Sequence, residues 1–372
     1  MFLISVVLFR PAEQTLARYV AERVTRGEDA RPVARAVAWL IVAALVIVTL
    51  AMAAAWQPIT DQLFGGHSYV TACLLAGIAA YAVSYYVRGI ASGLQWFGGY
   101  GVLLLVDGAA RVVLALPLVF IASPPVAAAA MVAAALLGAV APLMARDNGP
   151  KRLLARLRGR ESAALGLAGA ARFALPVGII AGAEQTLVSG GALLAAITTD
   201  GDAAAAAGTV FAATMLVRAP VFLFQGVAAA LLPRFTEMRT RGDQAASRRT
   251  LALAGGGTFG LSVVLAAGAL LCGPELMRLL FGPDFAVGRV DLAILSAGVG
   301  CYLAAATLSQ AALARALAAS AAAAWLTGAA IFVAIYLEVS GDALHRVSWA
   351  FTLATGLIAA LLAIVLRSRQ TD

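Results

Sequence analysis

The chain has 372 residues, of which 62% are hydrophobic and 12% charged, with a mean hydropathy of +0.92. A soluble domain carries about 25% charged residues to cover its surface, so half that share excludes a water-soluble globular fold and points to lipid. The net charge of +8 is carried by arginines lying between apolar runs rather than on one face, which excludes a nucleic-acid surface and fits the positive-inside rule.

A spanning helix needs about 20 largely apolar residues. Eleven segments are candidates in chain order: 1–22, 36–56, 69–92, 98–122, 125–145, 174–198, 204–232, 250–272, 289–314, 318–337 and 347–366. The expected fold class is therefore all-α: a polytopic integral membrane helical bundle of about eleven transmembrane helices. Met1 to Phe9 opens the first segment but is no signal peptide, because it lacks a basic start and Arg10 interrupts it at once. The abundant Ala and Gly let helix backbones approach closely in lipid.

The stretches between segments alternate in charge. Residues 18–35 hold Arg18, Arg23, Arg26, Arg31 and Arg35; residues 146–160 hold Arg146, Lys151, Arg152, Arg156, Arg158 and Arg160. Residues 234–249 hold Arg234, Arg239, Arg241, Arg248 and Arg249, and the tail holds Arg367 and Arg369. Between them lie 57–68, 123–124, 199–203, 273–288 and 338–346, which are poor in basic residues apart from Arg278 and Arg346. The arginine-rich stretches, and with them the C-terminus, are expected on the cytoplasmic side of the inner membrane. An odd number of spans then leaves Met1 outside with no basic residues before it. The pattern predicts one further helix upstream.

An ordered repeat gives the domain organisation. Leu16-Ala17-Arg18-Tyr19 resembles Leu232-Pro233-Arg234-Phe235, and Thr25-Arg26-Gly27-Glu28 resembles Thr240-Arg241-Gly242-Asp243. Leu63-Phe64-Gly65 resembles Leu280-Phe281-Gly282, and Ala76-Gly77 with Tyr81 resembles Ala297-Gly298 with Tyr302. The offsets, 216, 215, 217 and 221, stay nearly constant. The expected division is an N-terminal lobe of five helices over 1–145, a basic linker over 146–161, and a C-terminal lobe of six helices over 162–372. With an even number of helices per complete half, the repeat is parallel.

Three stretches carry a family resemblance. They are Leu216-Val217-Arg218-Ala219-Pro220 through Ala230-Leu231-Leu232-Pro233-Arg234-Phe235; Leu279-Leu280-Phe281-Gly282-Pro283-Asp284-Phe285; and Val87-Arg88-Gly89-Ile90-Ala91-Ser92-Gly93-Leu94-Gln95-Trp96-Phe97. They resemble helix eight, the short outer segment before helix nine, and the end of helix four of the oligosaccharide-flippase (Wzx-type) branch of the MOP exporter superfamily. The resemblance covers essentially the whole chain, minus the family's first helix. It implies two six-helix lobes around a central cavity. It also implies alternating access, by which a polyprenyl-diphosphate-linked oligosaccharide crosses the cytoplasmic membrane. A multidrug/cation antiporter or a lipid II flippase of the same superfamily is the alternative, and a non-transporting scaffold of a polysaccharide-synthesis complex is a third reading. The implied partners are the lipid-linked glycan, membrane lipids, and a polysaccharide polymerase or glycosyltransferase. No nucleic acid is expected.

An ionisable side chain deep in a span is costly unless it faces a cavity or a partner, which singles out a few candidates. Glu184 and Arg218 lie on consecutive helices, each 17 residues from Gly201, and so at matching depth. They are read both as a charged element of the cavity and as a structural ion pair. Arg10 flanks Pro11 with Glu13, and the repeat sets it opposite Gly226 beside Gln225; a local pair with Glu13 is the plainer reading. Asp107 and Arg111 are spaced i,i+4 with the acid first, which favours self-neutralisation. Arg172, at the start of the sixth segment, suits snorkelling to phosphate headgroups, or a contact with an entering diphosphate.

No catalytic chemistry is legible. The cysteines Cys73, Cys272 and Cys301 and the histidines His67 and His345 have no metal-ligand spacing. Gly255-Gly256-Gly257 sits in an apolar run without the lysine of a phosphate loop. Neither an enzyme nor a cofactor or metal is expected.

Overall fold

The structure, a computed structural model, describes residues 2–64, 66–116, 124–144, 155–161, 167–199, 202–285 and 287–368. Its helices are α1 (Phe2–Thr25), α2 (Arg31–Ala54), α3 (Trp56–Phe64), α4 (Ser68–Gly93), α5 (Phe97–Ala115) and α6 (Pro124–Met144). They continue with α7 (Leu167–Thr198), α8 (Ala203–Val217), α9 (Ala219–Thr240), α10 (Gln244–Phe281), α11 (Arg289–Ala314), α12 (Ala318–Glu338) and α13 (Ala343–Ser368). The fold is all-α and polytopic. Among the described residues nine helices are long and apolar enough to cross a membrane.

That count departs from the eleven expected segments at two places. The first is α1, which carries Arg10, Glu13, Arg18, Glu22 and Arg23 within 24 residues and is not apolar throughout. The second is the expected single helix over 204–232, which is broken between Val217 and Ala219. Pro220 causes the break. It has no N–H to give the carbonyl four residues back, and its ring suits the first turn of a new helix. Two further differences are local. The short α3 occupies part of the stretch 57–68 that reads as a loop. And α10, started by Asp243 accepting from the Ala246 N–H at 2.9 Å, runs 38 residues, about 57 Å at 1.5 Å per residue, well past the roughly 30 Å hydrocarbon core.

The helices group into two compact units, Met1–Gly178 and Ile179–Asp372, with the division falling inside α7. In the first unit α4 packs on α1 and α6, and α5 on α6. The α1–α4 approach depends on Gly89 and Gly93. A Cβ on Gly89 would lie 2.8 Å from the Leu16 Cβ and 2.9 Å from the Glu13 carbonyl, and one on Gly93 would lie 2.7 Å from the Val20 Cβ. Small residues spaced i,i+4 give helices in lipid such close contact. In the second unit α11 is central and packs on α10, α13 and α9. Its interior holds the fully buried Trp325, Phe332 and Tyr336 of α12.

Candidate functional site

The first unit contains a column of charged and aromatic side chains. Tyr81, Tyr85 and Arg88 recur at i, i+4 and i+7 and therefore share one face of α4. Arg88 Nη2 donates to the Tyr100 hydroxyl at 2.9 Å, and that hydroxyl donates to Glu13 Oε1 at 2.9 Å. Arg88 Nε lies 3.4 Å from the same carboxylate oxygen. The Arg88 guanidinium also sits 4.6 Å from the centre of the Tyr85 ring, a cation–π contact. One network thus ties α1, α4 and α5 together.

The column continues in both directions. Along α4 and α5, Arg111 pairs with Asp107 and donates to the Tyr81 hydroxyl. Along α1, Arg18 is only 7% exposed. Its guanidinium lies 4.6 Å from the Phe173 ring and 5.1 Å from the Tyr19 ring. Both described pairs of this column, Glu13–Arg88 and Asp107–Arg111, neutralise their charges internally. Such pairs fix helix positions; removing one partner of a buried pair leaves an uncompensated charge.

The second unit presents a different arrangement. Arg218 closes α8 and opens α9: its N–H donates to the Thr214 carbonyl at 3.1 Å and its carbonyl accepts from Val221 at 2.9 Å. Its side chain is half-buried and lines a cavity with Thr214 and Tyr302 among mainly apolar neighbours, including Leu187, Val188, Leu295 and Phe351. The cavity is small, about 20 Å³, enough for a water molecule. Glu184 is 3% exposed on α7. Its spacing of i+3 and i+4 to the cavity residues Leu187 and Val188 sets it on the same side of that helix. Tyr302 also joins the aromatic core, with Trp325 edge-on at 5.7 Å and Phe351 stacked at 6.3 Å.

The seven sequence candidates fall in separate places. Asp107 and Arg111 form the i,i+4 pair that their spacing predicts. Arg10 lies half-buried on α1, while Glu13 three residues on is engaged by Arg88 and Tyr100. Arg172 is exposed near the start of α7. Glu184 and Arg218 sit on either side of the turn from α7 to α8; Gly201 in that turn and the Gln225 side chain lie outside the described residues.

Sequence reasoning missed the centre of the column. Arg88 falls inside the apolar run 69–92, where the rule applied to Arg218 would have found it; it read instead as the end of a helix. Arg18 read as part of a basic loop over 18–35. In the structure that loop is short, because Arg18 and Arg23 belong to α1 and Arg31 and Arg35 to α2.

No family model matches the chain. The chain is 32% identical over 242 residues to the uncharacterized protein Rv1510 of Mycobacterium tuberculosis, covering 63% of this chain and 52% of that protein. It is 30% identical over 241 residues to the uncharacterized protein Mb3654 of Mycobacterium bovis, covering 64% and 53%. The chain thus spans about half the length of the curated relatives it matches. Solved structures resemble it over nearly its full length. A MATE protein in the straight conformation superposes with a TM-score of 0.82 at 14% identity, over 99% of this chain and 85% of that one. The outward-facing structure of a multidrug resistance MATE family transporter of the MOP superfamily gives 0.73 at 16%, over 99% and 85%. The Vibrio cholerae MATE transporter VcmN in the bent form gives 0.73 at 14%, over 98% and 86%. The chain has the MATE fold.

Proposed function

We propose that this chain serves a membrane transporter that moves a polyprenyl-diphosphate-linked oligosaccharide across the cytoplasmic membrane for polysaccharide export. Arg218 carries the reading. A guanidinium at a helix break, half-buried beside a polar-edged cavity, is a candidate anion contact, because ionisable groups deep in apolar helices mark substrate paths. Its fork makes paired hydrogen bonds to phosphate oxygens. Glu184, on the same side of α7 as the cavity residues Leu187 and Val188, would offset the charge between substrates. A polymerase or glycosyltransferase would be the working partner. The second reading, a multidrug/cation antiporter, is favoured by the multidrug resistance transporter among the structural neighbours. It would assign the working role to the Glu184 carboxylate.

One experiment separates the two. Export is measured in a flippase-deficient strain that carries the full-length variants at matched membrane levels. A charge-assisted hydrogen bond contributes about 1.5–3 kcal/mol, so Arg218→Ala is expected to lower export roughly 10- to 100-fold, and Glu184→Gln less. The antiporter reading expects the reverse order in drug-resistance assays. Normal export by a well-expressed Arg218→Ala protein rules out the flippase role for this arginine. Orientation is checked separately. Single cysteines at Arg156 and Arg241, both exposed, should resist impermeant maleimide in intact cells, and strong labelling of either reverses the topology.

A further inference from the structure

The described part of the linker, residues 155–161, is fastened to the first unit. The Asp29 N–H donates to the Arg160 carbonyl and the Arg160 N–H to the Gly27 carbonyl, both at 2.9 Å, a parallel bridge between Glu28 and Arg160. The Ala30 N–H donates to the Leu157 carbonyl at 2.9 Å. Arg156 reaches across to the Leu94 carbonyl at the end of α4, at 3.1 Å. Leu157 is 1% exposed and belongs to the same hydrophobic core as Ala30, Val33 and Leu94. Gly159 lies so close to the turn between α1 and α2 that a Cβ there would fall 2.4 Å from the Glu28 carbonyl carbon. Backbone meets backbone at that point, so no larger residue fits without moving the chain.

We infer that residues 155–161 act as a permanent strap. The strap binds the α1–α2 turn to the end of α4, so that this end of the first unit travels as one body through a transport cycle. The inference rests on the alternating-access reading for its role, though not for its geometry. A segment held only by exposed side chains could detach in each cycle. This one is held by three backbone hydrogen bonds and a buried leucine, and detaching it would expose an apolar side chain and orphan backbone groups. Residues 155–161 are therefore part of the first unit.

The test uses the full-length protein with Cys73, Cys272 and Cys301 replaced by Ala, in inside-out membrane vesicles. Paired strands lie about 4.8 Å apart, inside the range a disulfide spans, so the pair Glu28→Cys with Arg160→Cys is expected to cross-link nearly completely under mild oxidant. A Gly-Ser-Gly-Ser insertion after Glu161 should leave that yield unchanged. The same insertion between Leu157 and Arg158 should lower it at least about fivefold. The companion pair Asp61→Cys with Arg160→Cys should stay unlinked. Hydrogen exchange over 155–161 should be as slow as over 27–30. A strap that cross-links poorly, exchanges at the rate of free peptide, or tolerates both insertions equally overturns the inference. None of these outcomes depends on transport. Failure of the unmodified chain to complement export would instead count against the proposed function alone.

Discussion

The two units solve the interior of a membrane bundle differently. The first is held by charge. Glu13 and Arg18 are buried, Arg88 is nearly so, and the pairs are linked by tyrosine hydroxyls and ring faces. The second is held by rings and small hydroxyls. Trp325 donates to Ser309 at 2.6 Å, Tyr336 meets Thr198 at 2.9 Å, and Glu184 is the buried charged side chain among its described residues. A charged network concentrates its energy in few residues. An aromatic core spreads it over contact area. The units should therefore differ sharply in how they respond to single substitutions.

The largest effect is expected at Arg88. Arg88→Met leaves the Glu13 carboxylate with the Tyr100 hydroxyl alone, and breaking a buried pair in this way costs about 3–5 kcal/mol. Adding Glu13→Gln to the same chain should recover a good part of that loss, because no unpaired charge remains. The measurement is denaturant unfolding of the full-length protein in detergent, with the two single variants and the double variant closing a cycle. If the double variant is as unstable as the sum of the singles, the pair is not coupled and the contrast between the units fails.

A smaller effect is expected in the second unit. Trp325→Phe keeps most of the ring contact with Tyr302 but loses the indole hydrogen bond to Ser309. A neutral buried hydrogen bond contributes about 1 kcal/mol, and an orphaned hydroxyl adds somewhat more. The loss should be about 1–2 kcal/mol, and Ser309→Ala should cost a similar amount by orphaning the indole N–H instead. A loss as large as that at Arg88 would show that this core, too, hangs on one contact.

What the sequence made legible follows from the range of each interaction. Helices of the membrane interior are local, since run length and hydropathy define them. The Asp107–Arg111 pair is also local, four residues apart on one helix. Glu13 and Tyr100 lie 87 residues apart, and no spacing rule joins them. The strap is invisible for the same reason: Arg160 and Arg26 are 134 residues apart in sequence. Arg218 was readable as a charge inside an apolar run. The break beneath it was not, because a proline at the first turn of a new helix looks in sequence like a proline inside a continuing one.

The smallest effect sharpens the comparison by repeating the chemistry of the first unit outside the membrane span. Arg31 donates from Nε and Nη2 to both oxygens of Asp29, at 3.0 and 2.6 Å, and its backbone N–H donates to Oδ1 at 2.9 Å. The Arg31 side-chain hydrogen bonds hold the Asp29 carboxyl below its ordinary value, against an opposing push from desolvation. The sign follows. A carboxylate whose folded value is depressed stabilises the protein above the ordinary carboxylate range, and the contribution fades as pH falls through the lowered folded value. Arg31 is 46% exposed at its side chain, so water and salt screen the pair. Asp29→Asn keeps an acceptor for the Arg31 N–H and leaves the strap's bond from the Asp29 N–H untouched. At neutral pH it should therefore lower the melting temperature by no more than about 1–2 °C. The gap between wild type and variant should close on acidification, since both then carry an uncharged side chain. A gap that widens as pH falls would mean that the charge is not what Asp29 contributes. It would also break the claim that depth, rather than the arginine–carboxylate pairing itself, sets the size of these effects.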